Sequence, residues 1–226
     1  MVGVIETVTL STGAEARLRN ADSEVAVVCA NGGQGNEVTG TWSASLEWLV
    51  DRLAPAFPDV CFVEVCYRIK SWRRLDWCIE DARAAVGAAG SRHTMLIGFS
   101  MGGAVSIGAA ATPSVERVVG LAPWIPDRLS LDVLLGRRLD VIHGSLDRWL
   151  PGIPGVSAAS SRRGFDRARA LGVPGSYTLI PGAIHPIALR LGGRPLPLPR
   201  ASRWAELVAD QLDSFSRASR GTTASA

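Results

Sequence analysis

Apolar positions along this chain follow two alternating rhythms. Short, nearly continuous apolar or β-branched runs occur at Val25–Ala30, Val60–Tyr67, Thr94–Ile97, Val115–Leu121, Leu139–His143 and Ser176–Ile180. Each is too short for a helix and most are bounded by Gly, Pro or Asn, which predicts buried strands. Val4–Leu10 and Glu15–Leu18, on either side of Ser11-Thr12-Gly13, read as an opening strand pair. Between the strands the spacing changes to that of one helical face. It does so at Leu46, Leu49, Val50 and Leu53 within Trp42–Leu53, and at Leu75, Ile79, Ala82 and Val86 within Leu75–Ala89. The small-residue run Ala104–Ala110, the segment Ser160–Leu171 and the closing segment Ala201–Phe215 complete the predicted helices. Pro55 and Pro58 stop the first of them, and Gly172 and Pro174 stop the fourth.

Strands that alternate with helices, after an opening pair, imply an α/β fold. The expected architecture is a mostly parallel, twisted sheet of about seven or eight strands with helices on both faces. In such sheets the working loops gather at the carboxyl ends of the strands. No internal repeat is present. Arg190–Arg200, rich in Pro and Gly, reads as a surface loop and not as a linker. The expected organisation is therefore one domain over residues 1–216 and a flexible C-terminal tail over 217–226.

Composition narrows the function classes. Hydrophobic residues at 47% with 20% charged describe an ordinary globular chain that can bury a core. A formal charge of +3, with 24 Lys+Arg scattered along the sequence, argues against nucleic acid as a partner. No apolar stretch reaches the roughly 18–20 residues of a membrane span. The start, Met1-Val2-Gly3-Val4-Ile5-Glu6, has neither the basic nor the apolar region of a leader. Cys29, Cys61, Cys66 and Cys78 lie in apolar runs, as buried free thiols do, which fits a reducing cytoplasm. Cys61 and Cys66 lack a nearby His or a second close pair, so neither a metal nor another cofactor is expected.

The chemistry concentrates at Gly98-Phe99-Ser100-Met101-Gly102-Gly103. This is G-x-S-x-G between an apolar strand and a small-residue helix, the setting in which a tight turn holds a serine out at a strand tip. A serine hydroxyl needs a base to take its proton, and the base needs an orienting acid. Of three histidines, His93 precedes the serine strand and belongs at the opposite sheet edge, and His143 sits inside a strand. His185, in the loop Pro181–Pro186 just past the last strand, is the candidate base. Asp147, in the turn after Val141-Ile142-His143-Gly144, is the candidate acid, with Asp127 as its rival. Asp132 and Asp140 read as solvated end charges.

The elbow and the chain order Ser100, Asp147, His185 at strand ends resemble the α/β-hydrolase superfamily over nearly the whole chain, from about Val4 to Phe215. The resemblance implies Ser100 as nucleophile, Asp147 as acid and His185 as base. It also implies an oxyanion hole of two backbone N–H groups. One would be that of Met101; the other would come from Asn31-Gly32-Gly33-Gln34-Gly35, with Gly33 the better match and Gln34 next. Asn31 stands where the family usually has a His.

Only Pro123–Arg138 occupies the place where relatives insert a lid, so no full cap domain is expected. The chain in this respect resembles small lidless serine esterases and dienelactone-hydrolase-like members; the latter use a cysteine where this chain has Ser100. Trp42, Trp124 and Trp149 follow the oxyanion loop, a strand end and the acid, and are candidate substrate-binding walls. Trp72 is a candidate border residue, whereas Trp48, Trp77 and Trp204 read as core or groove filler. Arg68, Arg148, Arg162 and Arg163 near loop ends read mainly as surface charge. The expected activity is hydrolysis of a carboxylic ester on a small-molecule acyl substrate. Thioesterase, acyltransferase or peptidase chemistry with the same triad, or ligand binding without catalysis, are the alternatives. The sequence carries no signal for oligomeric state.

Overall fold

A computed structural model describes residues 5–148 and 155–223. Eight strands form one sheet: β1 (Ile5–Thr9), β2 (Glu15–Arg19), β3 (Val25–Ala30), β4 (Val60–Cys66), β5 (His93–Phe99), β6 (Val115–Leu121), β7 (Arg138–Gly144) and β8 (Tyr177–Ile180). Their spatial order is β1-β2-β4-β3-β5-β6-β7-β8. β2 pairs antiparallel with both β1 and β4, and every other pairing is parallel. The carboxyl ends of β3, β5, β6, β7 and β8 therefore share one edge.

Strand alternation splits the core into two layers. Val25, Val27 and Cys29 of β3, with Met95, Ile97 and Phe99 of β5, face α1 (Ala44–Leu53) and α5 (Ala201–Thr223). Ala26, Val28 and Ala30, with Leu96, face α2 (Leu75–Ala89) and α3 (Gly102–Ala109), and Phe165 and Ala168 of α4 (Ala158–Ala170) join this layer. Central strands buried on both faces explain why they read as unbroken apolar runs. Helix ends follow local chemistry. Ser43 and Ser157 accept backbone N–H groups at the starts of α1 and α4, and Gly90 at φ 63° closes α2.

The structure corrects several readings. Residues 190–200 are not simply a loop. Ala188–Leu191 and Arg194–Pro197 form an antiparallel hairpin packed on α1. Gly192 and Gly193, both at positive φ, make its turn, and an isolated two-strand ribbon has free edges that tolerate Pro195 and Pro197. The closing helix runs on to Thr223, through positions expected to be tail. Ser216 and Ser219 continue its buried face, and as small polar residues they leave no mark in the apolar pattern. Asp140 is not a solvated charge: it is 1% exposed, pairs with Arg138 at 2.7 Å and accepts from Ser176. Trp77 is not core; it is 36% exposed and lies beneath Arg68 and Arg74. The four cysteines are buried and free, and burial pushes the Cys61 and Cys78 thiols up to about 11. No described helix is long and apolar enough to cross a membrane.

Candidate active site

Ser100 stands between β5 and α3 at φ 56°, left-handed backbone that a side chain seldom adopts. Three hydrogen bonds hold it there. Its N–H donates to Leu121 O at 3.0 Å, and its carbonyl accepts from Gly103 N at 2.9 Å and Trp124 N at 2.8 Å. The flanking glycines are required by contact. A Cβ on Gly98 would sit 2.2 Å from Gly102 O, and one on Gly102 would sit 2.0 Å from Ala30 O. The serine strand, the turn and the end of β3 thus approach more closely than any side chain allows.

Asp147 and His185 come together as the sequence suggested. His185 Nδ1 lies 2.6 Å from Asp147 Oδ2, with both side chains almost fully buried. An ionised carboxylate only accepts, so Nδ1 carries the proton and the neutral ring keeps a lone pair on Nε2. Phe99 packs beside the imidazole, ring centroids 5.0 Å apart. The segment after His185 is tied to α1: the N–H groups of Ile187 and Ala188 donate to Ser45 Oγ at 3.1 and 3.2 Å. Asp127 is excluded as the acid by position, since it is 94% exposed and pairs with Arg167.

Asp147 receives two further donors. Val156 N–H reaches Oδ1 at 3.2 Å, and His143 Nε2 reaches Oδ2 at 3.1 Å. His143 Nε2 also faces Val156 O at 2.9 Å, and its Nδ1 faces Ser161 Oγ at 2.8 Å. With two acceptors before it, Nε2 carries the proton, and Ser161 donates to Nδ1. Burial pushes the Asp147 carboxyl up, but the hydrogen bonds from His143 and His185 outweigh it and hold the pKa below the usual carboxylate value. His93 lies at the amino end of β5, paired with Glu116, at the far edge from Ser100.

Asn31 organises the loop after β3. Its Oδ1 accepts Gly32 N–H at 2.7 Å, its Nδ2 donates to Thr41 O at 2.7 Å, and its carbonyl accepts Tyr67 Oη at 3.0 Å. Gly33 lies against the elbow, where a Cβ would come 2.1 Å from Met101 Sδ. Gln34 lines neither cavity next to Ser100; its carbonyl accepts Trp72 N–H.

Two hollows meet at Ser100. One, of about 270 Å³, is lined by Gly33, Trp42, Ser45, Lys70 and His185 among others. The second, of about 490 Å³, is walled by Trp72, Trp124, Met101 and Arg128. Trp42, Trp124 and Trp72 are thus brought to the site, while Trp149 lies outside the described residues. Arg68 is tied to Asp81 and Glu80, and Arg162 to Asp166. A further hollow of about 600 Å³, near Asp22 and His93, opens at the opposite sheet edge, away from Ser100. Lys70 and Ser45 were missed in the sequence. Lys70 sits in a two-residue strand, Ile69–Lys70 paired with Val38–Thr39, too short to leave a pattern.

No family model and no curated protein matches the sequence. Solved structures do. An α/β-hydrolase enzyme from a Medee basin deep-sea metagenome library superposes with a TM-score of 0.68 at 14% identity, covering 95% of this chain and 99% of that one. The chain has the α/β-hydrolase fold. A dienelactone hydrolase-like promiscuous phosphotriesterase from metagenomic libraries matches with the same TM-score of 0.68, 14% identity and coverage of 95% and 99%. A serine hydrolase homologue from Coxiella burnetii gives 0.63 at 15% identity over 94% of this chain and 98% of its own. Within this α/β-hydrolase fold, the chain between β6 and β7 holds only a three-residue 3-10 turn, Asp132–Leu134, where a lid would stand.

Proposed function

We propose that the protein is a serine hydrolase that cleaves carboxylic esters through an acyl-enzyme. Ser100 Oγ attacks the ester carbonyl while His185 Nε2 takes its proton. Asp147 keeps the imidazole in the tautomer that leaves Nε2 free and stabilises the imidazolium that forms. The N–H groups of Met101 and Gly33 bind the tetrahedral oxyanion, and the N-terminal end of α3 adds favourable potential there. Collapse expels the alcohol, which takes the proton from His185. Water then attacks the acyl-enzyme, gives a proton to His185, and releases the acid as the proton returns to Ser100 Oγ.

The observation that carries this reading is the buried 2.6 Å contact between His185 Nδ1 and Asp147 Oδ2, with His185 lining the same hollow as the strained Ser100. Met101 N–H has no acceptor among the described residues, which suits a donor kept for the substrate. The test is turnover of p-nitrophenyl butyrate by the wild type, Ser100→Ala and His185→Ala. Each variant should lose about a thousandfold or more in kcat. Ser100→Ala with wild-type turnover would refute the assignment.

A further inference from the structure

The smaller hollow beside Ser100 contains a cation with no counter-charge. Lys70 lines it together with Ser100 and His185, and no Asp or Glu does. No arginine lines it, and Arg17, Arg68 and Arg190 are each paired with a carboxylate: Arg17 and Arg190 with Glu47, and Arg68 with Asp81. Lys70 Nζ instead donates to a neutral partner, Thr41 Oγ1 at 3.1 Å, and no carboxylate among the described residues pairs with it. Burial pushes its pKa below the ordinary lysine value, and the nearby Cys66 only partly offsets this. A partly desolvated ammonium held by a neutral hydroxyl keeps its charge unneutralised and open to an anion that enters the hollow.

The segment that carries the ammonium is held in place. Lys70 pairs in register with Val38. Thr41 is fixed through its carbonyl by Asn31 Nδ2, the same side chain that orders Gly32. Gly40 presses on Tyr67, where a Cβ would come 1.8 Å from Tyr67 O. The residue that shapes the oxyanion loop therefore also anchors the partner of Lys70.

We infer that Lys70 is a specificity residue that binds a carboxylate on the substrate, so that the preferred substrates are esters carrying one anionic group next to the scissile bond. This rests on the hydrolase reading above. A single ammonium with one hydroxyl beside it suits a monoanion; a phosphate dianion would call for more donors. Arg128, the cation on the larger hollow, is exposed and solvated, and makes the weaker anchor.

The test compares kcat/KM for matched pairs of esters. For the acyl side the pair is p-nitrophenyl hydrogen glutarate and p-nitrophenyl butyrate. For the alcohol side it is the butyryl ester of para-hydroxybenzoate and phenyl butyrate. The wild type should favour the anionic member of one pair by about 10-fold or more, the scale of one charge-assisted hydrogen bond. Lys70→Met should collapse that ratio, Lys70→Arg should restore part of it, and added salt should weaken it. The inference falls if neither anionic ester is favoured, or if the ratio survives Lys70→Met. If the wild type turns over no neutral ester and is inert to a fluorophosphonate, the hydrolase reading fails and the substrate inference falls with it.

Discussion

His143 and Asp147, four residues apart across the turn that ends β7, face each other with His143 Nε2 3.1 Å from Asp147 Oδ2. The same carboxylate oxygen accepts from His185 at 2.6 Å. His143 is buried inside the sheet and touches neither Ser100 nor the hollows, so it acts through Asp147. His143→Ala should destabilise the fold by about 2–4 kcal/mol, because it opens a cavity and removes the one N–H that Val156 O and Asp147 share. His143→Gln, which keeps an N–H donor, should lose less. Chemical denaturation of the two variants side by side measures the difference.

Asp147→Asn separates the acid's roles. An amide cannot stabilise the imidazolium and can reverse the tautomer of His185, so kcat should fall by about 10³–10⁴-fold with little change in KM. The pH dependence of stability has a definite sign. The folded pKa of Asp147 lies below its unfolded value of about 3.9, so its contribution is fully present above that value and is lost as pH falls through the folded pKa. Folding stability measured from about pH 5 down to about pH 2 should therefore fall less steeply for the Asn variant than for the wild type.

Glu64 points the other way. It sits mid-strand in β4, 3% exposed, with neither carboxylate oxygen hydrogen-bonded. Burial raises its pKa to about 7, against the partial opposition of Arg19. An acid raised in the folded state binds its proton more tightly there than in the unfolded chain. Stability then falls as pH rises from about 4.3 through 7. Glu64→Gln should remove that slope and stabilise the protein at pH 8 by up to about 3 kcal/mol. Melting temperatures of wild type and variant should diverge with rising pH; parallel curves would contradict the assignment.

Much of the candidate site was legible in the sequence because its residues stand at telling positions along the chain. Gly98, Ser100 and Gly102 declare a turn too tight for side chains, and Asp147 and His185 each follow a strand end. What was not legible lies in contacts that leave no period. The hairpin at 188–197 was hidden because prolines usually break strands, and only its free edges make them acceptable. Asp140 looked solvated because nothing in the sequence announces that Arg138 and Ser176 will cover it. Lys70 and Ser45 line the hollow beside Ser100 through packing between distant segments, which spacing cannot encode.

Ser45 offers a test of that hidden layer. Its hydroxyl is the common acceptor for Ile187 and Ala188 N–H, and so holds the end of the His185 loop to α1. Ser45→Ala leaves two buried donors unmet, which should cost about 1–3 kcal/mol of stability. The displaced imidazole should also lower kcat by about 10-fold or more at unchanged fluorophosphonate-accessible serine content. A variant as stable and as active as the wild type would mean that the loop is positioned by other contacts.

The central claim is that Ser100 is a nucleophile activated by His185. Intact-mass and peptide mass spectrometry after exposure to a fluorophosphonate tests it directly. The expected result is a single adduct, mapped to Ser100, absent from Ser100→Ala and formed much more slowly in His185→Ala. No adduct on the folded wild-type protein, or an adduct on another residue that persists in Ser100→Ala, would contradict it.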